Sequence, residues 1–416
     1  MTHDKKITYQ GIASLRPQLN IGLFGFGCVG QGLYDVLNNS QGLKAEISKI
    51  CVKDRTKSRK IDKSFFTFEK KDILKNGNHD LIVELIDDAQ AAYEITGEAI
   101  NKGKSVVTAN KKMVAENFEA LFRLQVKSGS SFLYEGACGG SIPIIRTLEE
   151  YYDNELLGSV KGILNGSSNY ILTKMETDKL GFEDALKEAQ ALGFAESDPF
   201  LDIAGYDTKY KLCILSVHAF GLILKPQDIL NIGIQNISQF DINYANEKGY
   251  RIKLIANARK VNDKYQIYVL PVFIPKGSPL STINNEFNGI EVEGVYSDKQ
   301  FFVGKGAGSH PTGSAVLSDI SAITYDYKYG YKKLKKRING HIPDFSKDKK
   351  YLDDDFIVKL YIRYVNGKDL LNLEIANVVE QYSSSKYNYV IANVIFSSLK
   401  KIKQTNRLFV CELEQF

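Results

Sequence analysis

The sequence predicts an α/β protein: a doubly wound parallel sheet, then a larger α+β segment, then a small α+β segment. Three observations carry this. Short apolar runs alternate with helix-patterned stretches through the first third of the chain. A glycine-rich turn joins the first of these runs to the first helix. From about Tyr151 the texture changes, and long runs rich in β-branched residues appear. With 416 residues, 44% hydrophobic and 25% charged, the chain is long enough for two or three domains.

Taken in order, Asn20 to Phe24 is an apolar run leading directly into Gly25-Phe26-Gly27-Cys28-Val29-Gly30 and the helical pattern Leu33, Val36, Leu37. Strand, glycine turn and helix together form the context that a lone G-x-G-x-x-G lacks. Gly25 permits the tight turn, Gly27 lets the backbone approach a pyrophosphate, and Gly30 allows close helix packing. Cys28 and Val29 complete the turn at the helix N-terminus, which holds the anion. This points to a Rossmann-type sheet and a dinucleotide cofactor, against a glycine turn that binds nothing.

A second strand, Ile47 to Val52, ends in Lys53-Asp54-Arg55, followed by Lys57, Arg59 and Lys60. An acid here holds the ribose hydroxyls of NAD, whereas cations accommodate the extra phosphate of NADP. The excess of cations points to NADP with NAD tolerated; the other reading is a solvated basic loop. Leu81 to Ile86 reads as a buried strand, Ala89 to Lys102 as helix, and Ser105 to Asn110 as a strand placing Lys111 at its carboxyl end, where such sheets bind ligands. A lone lysine there is more often a solvated loop residue. Helix Asn117 to Lys127 and strand Ser131 to Tyr134 follow, then Glu135-Gly136-Ala137-Cys138-Gly139-Gly140-Ser141-Ile142-Pro143.

Lys161 to Tyr170 reads as a strand turning into a helix, whose polar residues Asn165 and Asn169 serve equally well as caps or as substrate donors. Arg251 to Ala258 and Lys264 to Phe273 read as strands. Gly306 and Gly308 precede another helix start, which suits the cofactor, or form only a linker. Lys328 to Lys350 reads as an exposed charged connection. Phe356 to Val365, a helical stretch, and Tyr387 to Phe396 suggest strand, helix, strand without chemistry.

The chemistry concentrates between Glu196 and Lys211. Asp202 and Asp207 precede Lys211, and the apolar positions from Tyr210 to Ala219 predict a long buried helix that places Asp207 and Lys211 on one face. The same spacing on a surface helix makes only an ion pair worth roughly 0.3–0.5 kcal/mol. The net charge of +5 is mild and mixed with nearly as many acids, so no nucleic-acid partner is implied. No run reaches membrane-spanning length, and Met1 to Gly11 lacks the apolar core of a signal peptide, so no membrane partner and a cytoplasmic location are expected. Cys28, Cys51, Cys138, Cys213 and Cys411 lie far apart, which favours reduced thiols over disulfides or zinc.

In this order the motifs resemble homoserine dehydrogenase over roughly residues 20–325. The carrying residues are Gly25 to Gly30, Val83 to Ile86, Val106 to Lys111, Glu135 to Pro143, Gly162 to Gly166 with Asn169 to Leu172, Ala195-Glu196, Asp198-Pro199, Asp202 to Asp207 with Lys211, and Gly306 to Gly308 with Pro311-Thr312. Departures are Asp87-Asp88 for two glycines, Gly136 and Cys138 for alanine and valine, Ser197 for proline and Gly313 for alanine. Asp87 and Asp88 lie at the cofactor edge and are expected to alter its affinity.

The resemblance implies reversible NAD(P)H-dependent reduction of L-aspartate 4-semialdehyde to L-homoserine, on the route to threonine and methionine. It implies Lys211 as proton donor, Glu196, Asp202 and Asp207 as the substrate-holding carboxylates, and Lys111 between nicotinamide and substrate. Lys111 and Lys211 can exchange roles in this reading. Gly25, Gly27, Cys28, Val29, Gly30, Lys53, Arg55, Lys111, Gly306 and Gly308 would face the cofactor. Backbone carbonyls of Glu135, Cys138, Gly140 and Ile142 would hold a monovalent cation, sodium by the same analogy. The expected organisation is a dinucleotide-binding domain at 1–150 completed by about 305–330, a substrate-binding and dimerisation domain at 151–304, a linker at 331–350, and a small α+β domain at 351–416 that faintly resembles an ACT-type regulatory domain. A homodimer or higher homo-oligomer is implied. Too little chain precedes Ile21 for a fused aspartate kinase, so one activity is expected. Competing readings are another dehydrogenase of amino-acid or aldehyde substrates and a cofactor-binding redox sensor without turnover. A phosphorylating semialdehyde dehydrogenase is disfavoured, because no cysteine sits beside a base.

Overall fold

The structure is a computed structural model that describes residues 18–75, 77–154, 156–338, 344–402 and 404–414. The N-terminal stretch read above for a signal sequence and the middle of the 331–350 connection lie outside the described residues.

Two sheets organise the chain. The first contains β1 (Leu19–Phe24), β2 (Ala45–Cys51), β3 (Phe66–Thr67), β4 (Leu81–Glu84), β5 (Ser105–Thr108) and β6 (Phe132–Leu133), all parallel, in the order β3-β2-β1-β4-β5-β6. The order reverses between β1 and β4, and this switch point is where doubly wound sheets take their ligands. Ile21, Leu23, Leu81, Ile82, Val83, Val106 and Val107 are fully buried, as expected of strands covered on both faces by helices.

The second sheet is mixed. It contains β7 (Leu157–Ile163), β8 (Leu230–Asn231), β9 (Tyr250–Val261), β10 (Lys264–Pro275), β11 (Phe287–Gly294), β12 (Asp298–Lys305), β13 (Ile357–Tyr364), β14 (Ile375–Ser383), β15 (Asn388–Ile395) and β16 (Leu408–Leu413). The order is β12-β11-β7-β9-β10-β16-β13-β15-β14, with β8 on β10. Helix Tyr206–Phe220 packs against β7, β9 and β10 and also against helix Lys111–Ser128. Every residue of it from Asp207 to Phe220 is buried. A helix with so little polar surface has to sit inside the molecule, and here it ties the two sheets together.

Two expectations for the C-terminal third are corrected. The stretch between β13 and β15 does not form an α-helix: a short 3₁₀ turn, Gly367–Leu370, leads into β14, which pairs antiparallel with β15. The described residues from 357 on add four strands, in the order β16-β13-β15-β14, to the second sheet through the parallel pairs Val272–Glu412 and Phe273–Leu413, with 3₁₀ turns in place of α-helices between them. The connection from Lys328 is exposed only in part: Lys328, Lys332, Lys335, Lys336, Lys347, Lys349 and Lys350 face solvent as expected, but several residues between them do not. Tyr329, Tyr331, Leu334, Phe345 and Asp348 are buried. The Tyr331 hydroxyl bonds that of Tyr134 at 2.9 Å, and the Tyr134 hydroxyl lies 2.9 Å from His218 Nε2.

Candidate active site

At the end of β1, Gly25 has φ of +92°, which a side-chain-bearing residue rarely adopts, and an added Cβ would run into the Leu85 carbonyl. At Gly30 a Cβ would sit 2.5 Å from the Gly25 carbonyl oxygen, so this position sets how closely the helix approaches the turn. At Gly27 nothing lies within 4 Å, leaving open space where a pyrophosphate has to come close to backbone. Helix Cys28–Asn38 starts there without a side-chain cap, so its first N–H groups remain available to an anion. Cys28 is exposed and Val29 half-buried beside it.

A second helix, Ser309–Ile323, begins alongside, with Gly308 exposed at its uncapped start and the Ser309 hydroxyl donating to the Cys28 carbonyl at 2.8 Å. Gly306 is instead buried, with its backbone against the Asn288 side chain. After β2, Lys53 and Arg55 are exposed, Arg55 lying 4.7 Å over the Phe68 ring. Asp54 spends one carboxylate oxygen on its own turn, accepting from the Thr56 N–H and hydroxyl at 2.7 Å each and from the Lys57 N–H at 3.2 Å. Asp88 caps helix Ala89–Asn101 by accepting from the Ala91 N–H at 2.9 Å, so this departure has a structural use.

The charged centre lies where the two sheets meet. Lys111 opens helix Lys111–Ser128, a place where a cation opposes the helix dipole at a typical cost of about 0.3–1 kcal/mol, and its side chain is 43% exposed. Its ammonium is 2.9 Å from Asp207 Oδ1, while Lys211 Nζ is 2.7 Å from Asp207 Oδ2. One carboxylate thus holds one lysine from each half of the molecule. Lys211 also donates to the Leu164 carbonyl at 2.7 Å. An ammonium has three N–H bonds, so Lys211 keeps one for a ligand.

Asn165 N-caps helix Gly166–Thr177 by accepting from the Ser168 N–H at 2.8 Å, and its amide donates to Asp202 Oδ1 at 2.7 Å and to Asp207 Oδ2 at 2.9 Å. The cap and the polar donor of the two readings above are one side chain. Burial alone would push the Asp207 carboxyl up, but Lys111, Lys211 and the Asn165 amide outweigh it and hold it well below the usual range. Burial and the charge of Asp207 push Asp202 up. Asp207, then more weakly Asp202 and Glu196, hold the Lys111 ammonium above its ordinary range. Glu196 stands exposed at the rim. The arrangement brings two ammonium groups and the carboxylates of Asp207 and Asp202 together at the start of the Lys111 helix.

The turn from Glu135 to Ile142 leaves some of its carbonyls without hydrogen bonds from the described residues. Gly140 has φ of +60°, and the carbonyls of Cys138 and Gly140 accept no hydrogen bond among the described residues. The Glu135 carbonyl accepts from the Cys138 N–H at a long 3.3 Å, and that of Ile142 from the Ile144 N–H at 2.8 Å. The Glu135 side chain turns away to accept from the N–H groups of Ile145 and Arg146, and burial with Asp319 nearby pushes it up to about 8. Of the four carbonyls only those of Cys138 and Gly140 are therefore wholly free to take a cation, while those of Glu135 and Ile142 would have to share an oxygen already in use.

Sequence reasoning passed over Glu84, which is buried and accepts from the Thr108 hydroxyl at 2.6 Å and the Ile86 N–H at 2.7 Å. An acid inside an apolar parallel strand was the available signal.

Comparison with known proteins accounts for both halves. The family model described as "Homoserine dehydrogenase" matches residues 143–321, and "Homoserine dehydrogenase, NAD binding domain" matches residues 25–135. A homoserine dehydrogenase of Bacillus subtilis (strain 168) is 36% identical over 75% of this chain and 74% of its own length. One of Neisseria gonorrhoeae is 38% identical over 73% of this chain and 72% of its own. The crystal structure of a homoserine dehydrogenase from Thiobacillus denitrificans superposes with a TM-score of 0.77 at 28% identity, covering 95% of this chain and 98% of that one. A hyperthermophilic archaeal homoserine dehydrogenase in complex with NADPH superposes with a TM-score of 0.64 at 25% identity over 75% of this chain and 99% of its own. A Rossmann sheet with its glycine turn, a lysine pair bridged by one buried aspartate, and relatives at these identities have one common explanation: the chain belongs to the homoserine dehydrogenase family.

Proposed function

We propose that the protein catalyses the reversible NAD(P)H-dependent reduction of L-aspartate 4-semialdehyde to L-homoserine, in threonine and methionine biosynthesis. The Lys111–Asp207–Lys211 bridge carries this reading, because it puts two cations and a carboxylate beside the carboxyl edge of a dinucleotide-binding sheet. The nicotinamide supplies a hydride to the aldehyde carbon. Lys211 stabilises the charge developing on oxygen and passes its free proton to it. Asp207 and Asp202, with Glu196 at the rim, receive the substrate ammonium. Reduction needs the ammonium form of Lys211 and oxidation needs the amine, so homoserine oxidation should improve at alkaline pH.

Lys53 and Arg55 are assigned to the 2′-phosphate of NADP, with NAD tolerated, since the nearby Asp54 is occupied by its own turn. Gly25, Gly27, Cys28, Val29, Gly30 and Gly308 would line the cofactor with Lys111, and Gly306 would support that lining from beneath. The carbonyls of Glu135, Cys138, Gly140 and Ile142 would hold sodium and rigidify the turn between the sheets. Residues 1–150 with about 305–330 form the cofactor unit in this reading, and 151–304 the substrate and dimerisation unit. The protein would work in the cytoplasm as a homodimer or higher homo-oligomer, which light scattering tests. No described helix is long and apolar enough to cross a membrane.

The deciding experiment follows NADPH oxidation with L-aspartate 4-semialdehyde. Lys211→Ala should abolish turnover and keep cofactor binding; near-normal turnover refutes the assignment. One observation favours exchanged roles: Lys111 is the more exposed lysine and can trade protons with water. In that case Lys111→Ala, rather than Lys211→Ala, removes the ionisation seen in the kcat profile.

A further inference from the structure

We propose that Glu84 is a positioning residue, whose buried carboxylate closes a ring of hydrogen bonds that fixes the helix start from which Lys111 reaches the substrate. The ring has four members. The Ile86 N–H donates to Glu84 Oε1 at 2.7 Å, and the Ile86 carbonyl accepts from the Asn110 side-chain amide at 3.0 Å. The Asn110 N–H donates to the Thr108 hydroxyl oxygen at 3.0 Å, and that hydroxyl donates to Glu84 Oε2 at 2.6 Å. The circuit joins the exits of β4 and β5, neighbouring strands on one side of the switch point. Asn110 is also the N-cap of the Lys111 helix, accepting from the Met113 N–H at 2.9 Å, and Lys111 is the next residue.

The carboxylate is costly where it stands. It is wholly buried, directly after Leu81, Ile82 and Val83, and Asp87 is the one charged neighbour felt there, with the same sign. Burial, and less strongly Asp87, push it up to about 7 against its two hydrogen bonds. Packing alone would be served better by an aliphatic side chain. What a carboxylate adds is two acceptor oxygens facing different strands. With them the rotamer of Asn110 and the direction of Lys111 are set before substrate arrives, and misplacement of a reacting group by about 1 Å can cost on the order of 100-fold in rate.

The inference rests on Lys111 lying between nicotinamide and substrate, so Lys111→Ala is measured alongside. In Glu84→Gln one acceptor oxygen becomes a donor, so either the Thr108 hydroxyl or the Ile86 N–H loses the group it donates to. Thr108→Val removes the bridging hydroxyl and Thr108→Ser restores it. Glu84→Gln and Thr108→Val should each lower kcat roughly 10- to 100-fold, with the NADPH dissociation constant by fluorescence titration within about threefold of the parent. Thr108→Ser should recover to within about threefold, and the double variant Glu84→Gln/Thr108→Val should be no slower than its slower parent, because both open the same ring. A normal kcat with only a lower melting temperature in Glu84→Gln, a Thr108→Ser as slow as Thr108→Val, or multiplicative losses in the double variant would each overturn the proposal. If Glu84→Gln does not fold, the two Thr108 variants decide alone. An inactive Lys111→Ala beside an unimpaired Glu84→Gln overturns the ring only; a near-normal Lys111→Ala overturns the reading beneath it as well.

Discussion

Each oxygen of Asp207 holds a different lysine, and an amide cannot do the same. Asp207→Asn would present an NH₂ to one ammonium and lose the charge that offsets both. The expected result is a kcat at least about 100-fold lower, in the range typical of losing general acid catalysis, read by steady-state kinetics. Asp202 responds to pH in the opposite sense. Its carboxyl is pushed up by burial and by Asp207, so on acidification it protonates before an ordinary aspartate and stops attracting the substrate ammonium. KM for the semialdehyde should therefore rise as pH falls through the acidic range. In Asp202→Asn, KM should be high and flat over that range; a KM that still climbs there would remove Asp202 from the substrate site. Asp207 itself stays ionised far into acid, so its bridge contributes stability above the ordinary aspartate range that is lost as pH falls through its lowered value. The charged members of this centre were legible because their types and spacing are local. Asn165 was left open between cap and donor and Glu84 was given no role, because what a buried polar side chain does depends on partners brought up by distant strands.

Among the elements, helices Cys28–Asn38 and Ser309–Ile323 cross at Gly32 and Gly313. A Cβ at Gly313 would lie 2.7 Å from the backbone carbon of Gly32 and 2.7 Å from the Leu33 nitrogen, and a Cβ at Gly32 would run into Ser309 backbone. The glycine that departs from the usual alanine is thus required by this crossing. Gly313→Ala should destabilise the protein by about 1–3 kcal/mol in urea unfolding, since backbone has to move to admit the methyl group. It should weaken cofactor binding too, because Cys28 and Ser309 begin the same two helices. The first sheet was readable from its apolar runs and glycine turn, which depend on local pattern alone. β14 was misread because Ile375, Val378, Val379 and Tyr382 also fall at helix-like spacings of three and four, and only β15 alongside settles it as strand. The Lys328 connection was misread in part from its charge, yet Tyr327, Tyr329 and Tyr331 alternate with a lysine and a glycine, a period of two that runs from half-buried to buried.

For the molecule as a whole, the second sheet runs without interruption from β12 to β14, and the strands after residue 356 fill its far half. Their removal would bare Leu270, Val272 and Ile274 on β10, which pack in one cluster with Val358, Leu360, Ile362 and Val410. A chain ending at Lys350 is expected to aggregate, or to unfold at markedly lower temperature in calorimetry, whereas an independent appendage could be lost with little effect on melting. The shared cluster was not legible in the sequence, because nothing within a single strand names the sheet it will join.

The parallel seam between β10 and β16 has a consequence for biogenesis. On the ribosome β10 emerges with the edge opposite β9 covered by β8 only at Tyr268 and Val269, and the strand that pairs with Val272 and Phe273 is translated long afterwards, following β13, β14 and β15. Until β16 slots between β10 and β13, the nascent polypeptide carries an open apolar border, so this enzyme's yield in the cell should respond to chaperone supply during translation more than to the stability of the finished fold.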